Sequence, residues 1–212
     1  MLFSHPKTEL ISPDRALQGR AEYPFTVPTT HAVNGRPIQP PFPDGILTVV
    51  FGLGCFWGAE EIFWQTEGVW TTAVGYAGGY SPHPTYEEVC TGRTGHTESV
   101  LVAYDPALVE FRELVARFFE VHDPTQGMRQ GNDIGTQYRS AIYYTSEDQR
   151  AVAEEAKATY STFLQARGFD RVGTEIAPLG PFYYAEDYHQ QYLAKNPNGY
   201  RCHAATGLDF PR

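Results

Sequence analysis

The feature that most constrains this chain is a sharp change of pattern between residues 46 and 65. The apolar run "ILTVVF" (46–51) gives way to Gly52 and Gly54, and helical spacing begins at about Trp57 and runs to Gln65. A short β-branched run closed by glycine reads as a buried strand, and the stretch after it as a helix. Cys55 stands at the junction.

Further along, "GVWTTAVGYAGGY" (68–80), "TESVLVAYD" (97–105) and "QYRSAIYYT" (137–145) read as strands. "FRELVARFFEVH" (111–122) has apolar residues at helical spacing, so Leu114, Val115, Phe118 and Phe119 are core candidates. A second long helix follows Ser146, its expected N-cap, and stops at Gly168. "TEIAPL" (174–179) reads as an edge strand, and "AEDYHQQYLAK" (185–195) as a short helix. Strands interleaved with helices imply an α/β or α+β layer sandwich.

The 212 residues fit one domain with an appendage. Six of the sixteen prolines fall between Pro24 and Pro43, so residues 1–44 are expected to form an irregular arm and residues 45–212 the functional domain. The net charge of −9 opposes binding to phosphate backbones, and nucleic acid is excluded as a partner. The N-terminus has no signal-peptide core, and no apolar run approaches a membrane span, so a soluble cytoplasmic protein is expected. Three cysteines, Cys55, Cys90 and Cys202, are too few for a disulfide scaffold. In a reducing compartment a disulfide between any two of them would be transient.

A thiol at a helix N-terminus meets unpaired N–H groups and the positive end of the helix dipole, so Cys55 is expected to have a lowered pKa and to attack as thiolate. Gly54 and Gly58 leave room around the sulfur, and Phe56 and Trp57 can wall an apolar pocket. "GLGCFWG" resembles a dinucleotide fingerprint only loosely, because two large rings stand where a pyrophosphate needs access. Glu98 shares strand phase with Val100, Val102 and Tyr104, which puts it on the more apolar face. Desolvation there favours a protonated carboxyl, a proton donor. Tyr86, Tyr138, Asp133 and His189 lie in turn-rich segments suited to lining a site. Cys202 sits in the coil "NPNGYRCHAATG", either as an incidental surface thiol or as one mobile enough to reach another sulfur. Cys90 follows Val89 and reads as a buried bystander. No C-x-x-C or H-E-x-x-H pair is present, and no metal is expected. From residue types alone, a cysteine hydrolase or acyltransferase using Cys55, His189 and Asp133 remains a rival.

"GCFWG" (54–58), "GYAGGY" (75–80), "TYEEVCTGRTGHTESV" (85–100), "HDPTQGMRQGNDIGTQYRS" (122–140), "FYYAEDYHQQYL" (182–193) and "NPNGYRC" (196–202) together closely resemble the A-type peptide methionine sulfoxide reductases. The resemblance covers nearly everything after residue 45. It implies an α+β two-layer sandwich, with a mixed sheet built on a split βαβ, ferredoxin-like core. The activity it implies is reduction of methionine S-sulfoxide, free or in proteins, by a monomer that needs no cofactor beyond an external dithiol such as thioredoxin. By the same resemblance Cys55 is the nucleophile, and Phe56 and Trp57 form the methyl pocket. Glu98 is then the acid, Tyr86 and Tyr138 bond the sulfoxide oxygen, and Asp133 and His189 complete the polar site. Cys202 takes the place of the resolving cysteine. No cysteine follows Cys202, so the further relay cysteine of some members is missing here.

Overall fold

From Val49 onward the first strand is apolar and buried, because both faces of its sheet are covered there. The structure, a computed structural model, describes residues 7–202 and 204–211; residues 1–6 of the expected arm, His203 and Arg212 lie outside the described residues. In chain order the elements are β1 (Leu47–Leu53), α1 (Phe56–Trp64), β2 (Val69–Ala77), α2 (Tyr86–Cys90), β3 (Thr97–Tyr104) and α3 (Phe111–Glu120). There follow β4 (Arg129–Gln130), β5 (Asp133–Ile134), β6 (Ser140–Tyr144), α4 (Glu147–Gln165), β7 (Glu175–Pro178), β8 (Tyr183–Tyr184) and α5 (Tyr192–Lys195).

The main sheet has six strands in the order β7-β6-β1-β3-β2-β8. β3 lies between β1 and β2 and is antiparallel to both, which makes β1-α1-β2 a split βαβ unit. β6 closes the other side of β1 in antiparallel sense and carries β7 in parallel, so the sheet is mixed. The α+β sandwich with a ferredoxin-like core is therefore the observed fold.

On one face Val49, Phe51 and Leu53 meet Val74, Val100, Val102 and Ile142 beneath the helices. Phe51 stacks on Phe63 of α1 and Phe118 of α3, with ring centroids 5.0 and 5.2 Å apart. Ser146 caps α4 by accepting the Gln149 N–H at 3.2 Å, and Gly168 takes φ +85° beyond its end.

The opposite face carries Val50, Ala73, Ala77, Leu101, Ala141 and Tyr143, and the arm covers it. Ile38 is fully buried against this face, with Phe42, Leu179 and Phe182 beside it. The proline-rich segment thus acts as an irregular third layer.

Three local differences from the sequence expectation have physical causes. The segment 185–195 is helical only over Tyr192–Lys195, because Gln190 and Gln191 spend their side chains elsewhere. Gln190 clamps both backbone groups of Val74, at 2.9 and 2.8 Å, and Gln191 turns through φ +48°. The five-residue helix α2 forms inside a segment rich in turn residues, because Thr85 and Glu88 make a capping box. Residues 204–211 are coil, but they are anchored: Phe210 is buried against Phe119 and Tyr160, and its N–H reaches Glu120 Oε1 at 3.0 Å.

Ile38→Ala leaves a cavity between arm and sheet, and is expected to cost about 2–5 kcal/mol in equilibrium denaturation. A loss below about 1 kcal/mol would show that the arm merely rests on the sheet.

Candidate active site

Gly54 takes φ +95°, and a Cβ there would lie 2.8 Å from Gln130 Cβ, so only glycine makes this turn against the β4–β5 hairpin. The turn leaves Cys55 as the N-cap of α1. The next peptide, Phe56 N–H, donates to Glu98 Oε2 at 3.1 Å. Glu98 is 1% exposed and faces the helices, as its strand phase implies. Burial raises its pKa to about 8, against the opposing pull of the Phe56 N–H. At neutral pH the carboxyl is therefore protonated.

The sulfur departs from the sequence expectation. Trp57 N–H does favour the thiolate, as a helix N-terminus should. Burial is the larger effect and pushes the Cys55 thiol well up, with the Glu98 carboxyl adding to it. The resting site thus holds a thiol beside a neutral acid.

An aromatic cage adjoins this pair. Phe56 lies 5.0 Å from the His189 ring, Tyr86 lies 4.4 Å from it, and Tyr192 stacks on Trp57 at 3.8 Å. Trp57 donates its indole N–H to His189 Nδ1 at 2.9 Å, so the neutral ring carries its proton on Nε2. That Nε2 is buried with no hydrogen-bond partner among the described residues. Burial lowers the His189 pKa to about 3, and the ring stays uncharged.

His189 is held by a network centred on Glu60 of α1, which is fully buried. Glu60 accepts from Thr72 Oγ1 at 3.0 Å and from Gln191 N and Nε2, both at 2.7 Å. His31 of the arm donates to Thr72 Oγ1 at 3.0 Å, and Ala32 N–H donates to Gln191 Oε1 at 2.9 Å. The arm therefore braces the turn that carries His189.

Tyr86 opens α2, where its N–H donates to Glu186 Oε1 at 2.8 Å, and Tyr76 bonds the other oxygen of Glu186 at 2.9 Å. Tyr138 ends the 3₁₀ turn Thr136–Tyr138. Burial, then the Glu98 charge, raises both phenol pKa values, so both remain hydrogen-bond donors. Burial raises the Cys90 pKa and the adjacent Tyr86 hydroxyl opposes this, which makes Cys90 a neighbour of the site.

Cys202 approaches from the tail, its thiol donating to the Gln130 carbonyl at 3.4 Å. Tyr200 donates to Asp133 Oδ2 at 3.2 Å, so Asp133 lies on the Cys202 side of the site. A cavity of about 390 Å³, lined by Cys55, Cys202, Gly58, Ala59 and Ile62 among others, is shared by the two sulfurs.

The other seven expected site residues lie around Cys55 and Glu98, but not as a hydrolytic relay. Trp57 occupies His189 Nδ1 and Asp133 takes the Tyr200 hydroxyl, so nucleophile, base and orienter are not linked. Sequence reasoning does not reach Tyr192, Tyr200, Glu60, Gln130 or Glu186. For Tyr192 a signal existed in its i, i+3 spacing from His189. The others are set by long-range contacts.

A half-buried thiol beside a neutral carboxyl, with a second thiol lining the same cavity, defines a thiol oxidoreductase on an α+β scaffold. The family model "Peptide methionine sulfoxide reductase" matches residues 47–209. Peptide methionine sulfoxide reductase MsrA of Azorhizobium caulinodans is 58% identical, covering 100% of this chain and 96% of that protein. Methionine sulfoxide reductase A of Corynebacterium diphtheriae superposes with TM-score 0.86 at 50% identity, covering 96% of this chain and 100% of that one. Reduced Mxr1 of Saccharomyces cerevisiae gives TM-score 0.71 at 36% identity, covering 77% and 94% of the two chains. Mxr1 solved with Trx2 shares the fold at TM-score 0.53 and 21% identity, covering 79% and 94%. The chain belongs to the peptide methionine sulfoxide reductase family and is an oxidoreductase.

The buried carboxyl has a consequence for stability. Its pKa is about 8 in the folded chain and in the ordinary carboxylate range near 4.3 when unfolded. Between those values the native state holds a proton that the unfolded state has lost, so this contribution is complete below the lower value and declines as pH rises to about 8. Glu98→Gln stays neutral and is expected to gain stability relative to the native chain between about pH 5 and pH 9. Denaturation midpoints at the two pH values read this directly, and an unchanged difference would contradict the buried acid.

Proposed function

We propose that the chain reduces the S epimer of methionine sulfoxide, free or in proteins, through a Cys55 sulfenic acid that Cys202 resolves. The observation that carries this reading is the fully buried, protonated Glu98 hydrogen-bonded to the peptide that follows Cys55. A sulfoxide sulfur is a poor electrophile until its oxygen is protonated or strongly hydrogen-bonded. Glu98 supplies the proton, and the Tyr86 and Tyr138 hydroxyls donate to the same oxygen. Phe56 and Trp57 hold the methyl group, while the buried, unpartnered Nε2 of His189 offers one more donor. Asp133 orients the tail side of the site through Tyr200.

In the first half-reaction oxygen passes from the methionine sulfur to Cys55, whose thiol becomes a sulfenic acid as methionine leaves. In the second, the Cys202 thiol displaces that oxygen as water and a disulfide forms. In this reading the external dithiol attacks the Cys55–Cys202 disulfide itself. Thioredoxin in the cytoplasm is the proposed donor, and the Mxr1–Trx2 complex is a precedent within this fold. Residues 45–212 are proposed as the catalytic unit, with residues 1–44 as the extension that braces it.

One equivalent of methionine S-sulfoxide without reductant is expected to take the free thiols from three to one, leaving Cys90. Three remaining thiols would defeat the reading. Because the acid form of Glu98 is required, kcat/KM is expected to fall as pH rises through about 8. Glu98→Gln should remove that limb and lower the first-turnover rate by roughly 10²–10⁴-fold. A variant that keeps the native rate would assign the proton to another group.

A further inference from the structure

Three consecutive residues of the tail are fastened to three different partners. Tyr200 bonds Asp133 of β5, Cys202 bonds the Gln130 carbonyl of β4, and Arg201 reaches across to α1. The Arg201 contact is a two-pronged fork: Nε to Glu61 Oε2 and Nη2 to Glu61 Oε1, both at 2.8 Å. Its remaining nitrogen, Nη1, donates to the carbonyls of Pro197 at 3.0 Å and Gly199 at 3.4 Å. The guanidinium therefore folds the tail back on itself and fastens it to the helix whose N-cap is Cys55.

Glu61 lies six residues after Cys55, about 9 Å of helical rise. Glu61 and Arg201 line the same cavity as the two sulfurs, so the tail is tied down beside the space that Cys202 must cross. The side chains are 22% and 30% exposed, which shelters the pair more than an open surface contact. For Cys202 to join Cys55 it must release Gln130, but residue 201 can keep its fork while residue 202 swings.

We propose that the Arg201–Glu61 ion pair positions the resolving thiol, setting the effective concentration of Cys202 at oxidised Cys55 and so the rate at which the disulfide closes. The inference rests on the roles proposed above for the two cysteines. In the step concerned the S–S bond forms and the S–O bond of the sulfenic acid breaks. The oxygen leaves as water with the proton of the Cys202 thiol, and no outside oxidant is consumed. A tether that removes conformations in which the thiol points away raises the rate of such an internal displacement without touching its chemistry. The planar fork of arginine gives that tether a fixed direction, which the single ammonium of lysine does not reproduce.

The test is rapid mixing with one equivalent of methionine S-sulfoxide, following methionine release, trapping of sulfenic acid by a cyclic dione, and loss of free thiols. Arg201→Met and Glu61→Gln are expected to release the first methionine at the native rate but close the disulfide about tenfold more slowly, with sulfenic acid accumulating. Arg201→Lys should recover only part of that loss. The charge-swapped double variant, Glu61→Arg with Arg201→Glu, should close faster than either of its single changes. Added salt should slow closure in the native chain and leave Arg201→Met unaffected. Closure in Arg201→Met within about twofold of native would overturn the proposal, as would equal slowing of methionine release, which marks a general structural defect. Cys202→Ser separates the two levels. If it accumulates sulfenic acid while Arg201→Met closes normally, only the ion-pair proposal falls. If it still loses two thiols, the assignment of Cys202 falls and takes the ion-pair role with it.

Discussion

A single hydrogen bond, Phe56 N–H to Glu98 Oε2 at 3.1 Å, joins the start of α1 to the middle strand of the split βαβ unit. It fixes a carboxyl where water does not reach, 1% exposed at the base of α1. One N–H is too little to keep a buried carboxylate charged, so the acid stays protonated up to about pH 8. Burial likewise keeps the neighbouring sulfur as a thiol at rest. At rest the site therefore holds both its carboxyl and its sulfur uncharged.

That dry interface depends on both faces of the sheet. The helices close one face, and the arm closes the other with Ile38 and Phe42. The arm also reaches the cage through His31, Thr72 and Glu60, whose carboxyl holds the backbone of Gln191 two residues beyond His189. Burial raises the Glu60 pKa to about 7, offset by the hydrogen bonds it accepts from Gln191 and Thr72. Two buried glutamates, Glu98 on β3 and Glu60 on α1, thus have different tasks: Glu98 holds a proton beside the sulfur, and Glu60 holds the turn at Gln191.

The strands and long helices were legible because their periods are set by burial on one face at a time. Glu98 is the clearest case, since phase with Val100, Val102 and Tyr104 was enough to put it under the helices. The helix expected over 185–195 shows the opposite. Its helical pattern is real, but Gln190 substitutes for a neighbouring strand at Val74 and Gln191 satisfies Glu60, and these distant demands unwind all but the last turn. The lowered Cys55 pKa expected from the helix end failed for a similar reason: the local dipole is present, but the depth of burial is a property of the assembled core.

The sequence by itself determined the order of strands and helices, the turn that leaves a cysteine at a helix start, and the carboxyl on the buried side of its strand. Each follows from neighbours a few residues away. Only the tertiary structure decided that the arm would seal the sheet, that the sulfur would rest protonated, that His189 would serve Trp57, and that Arg201 would grip Glu61. Those outcomes depend on groups brought together across 31 to 201 in the chain, where solvent exclusion and hydrogen-bond geometry, which no local pattern encodes, select the partner.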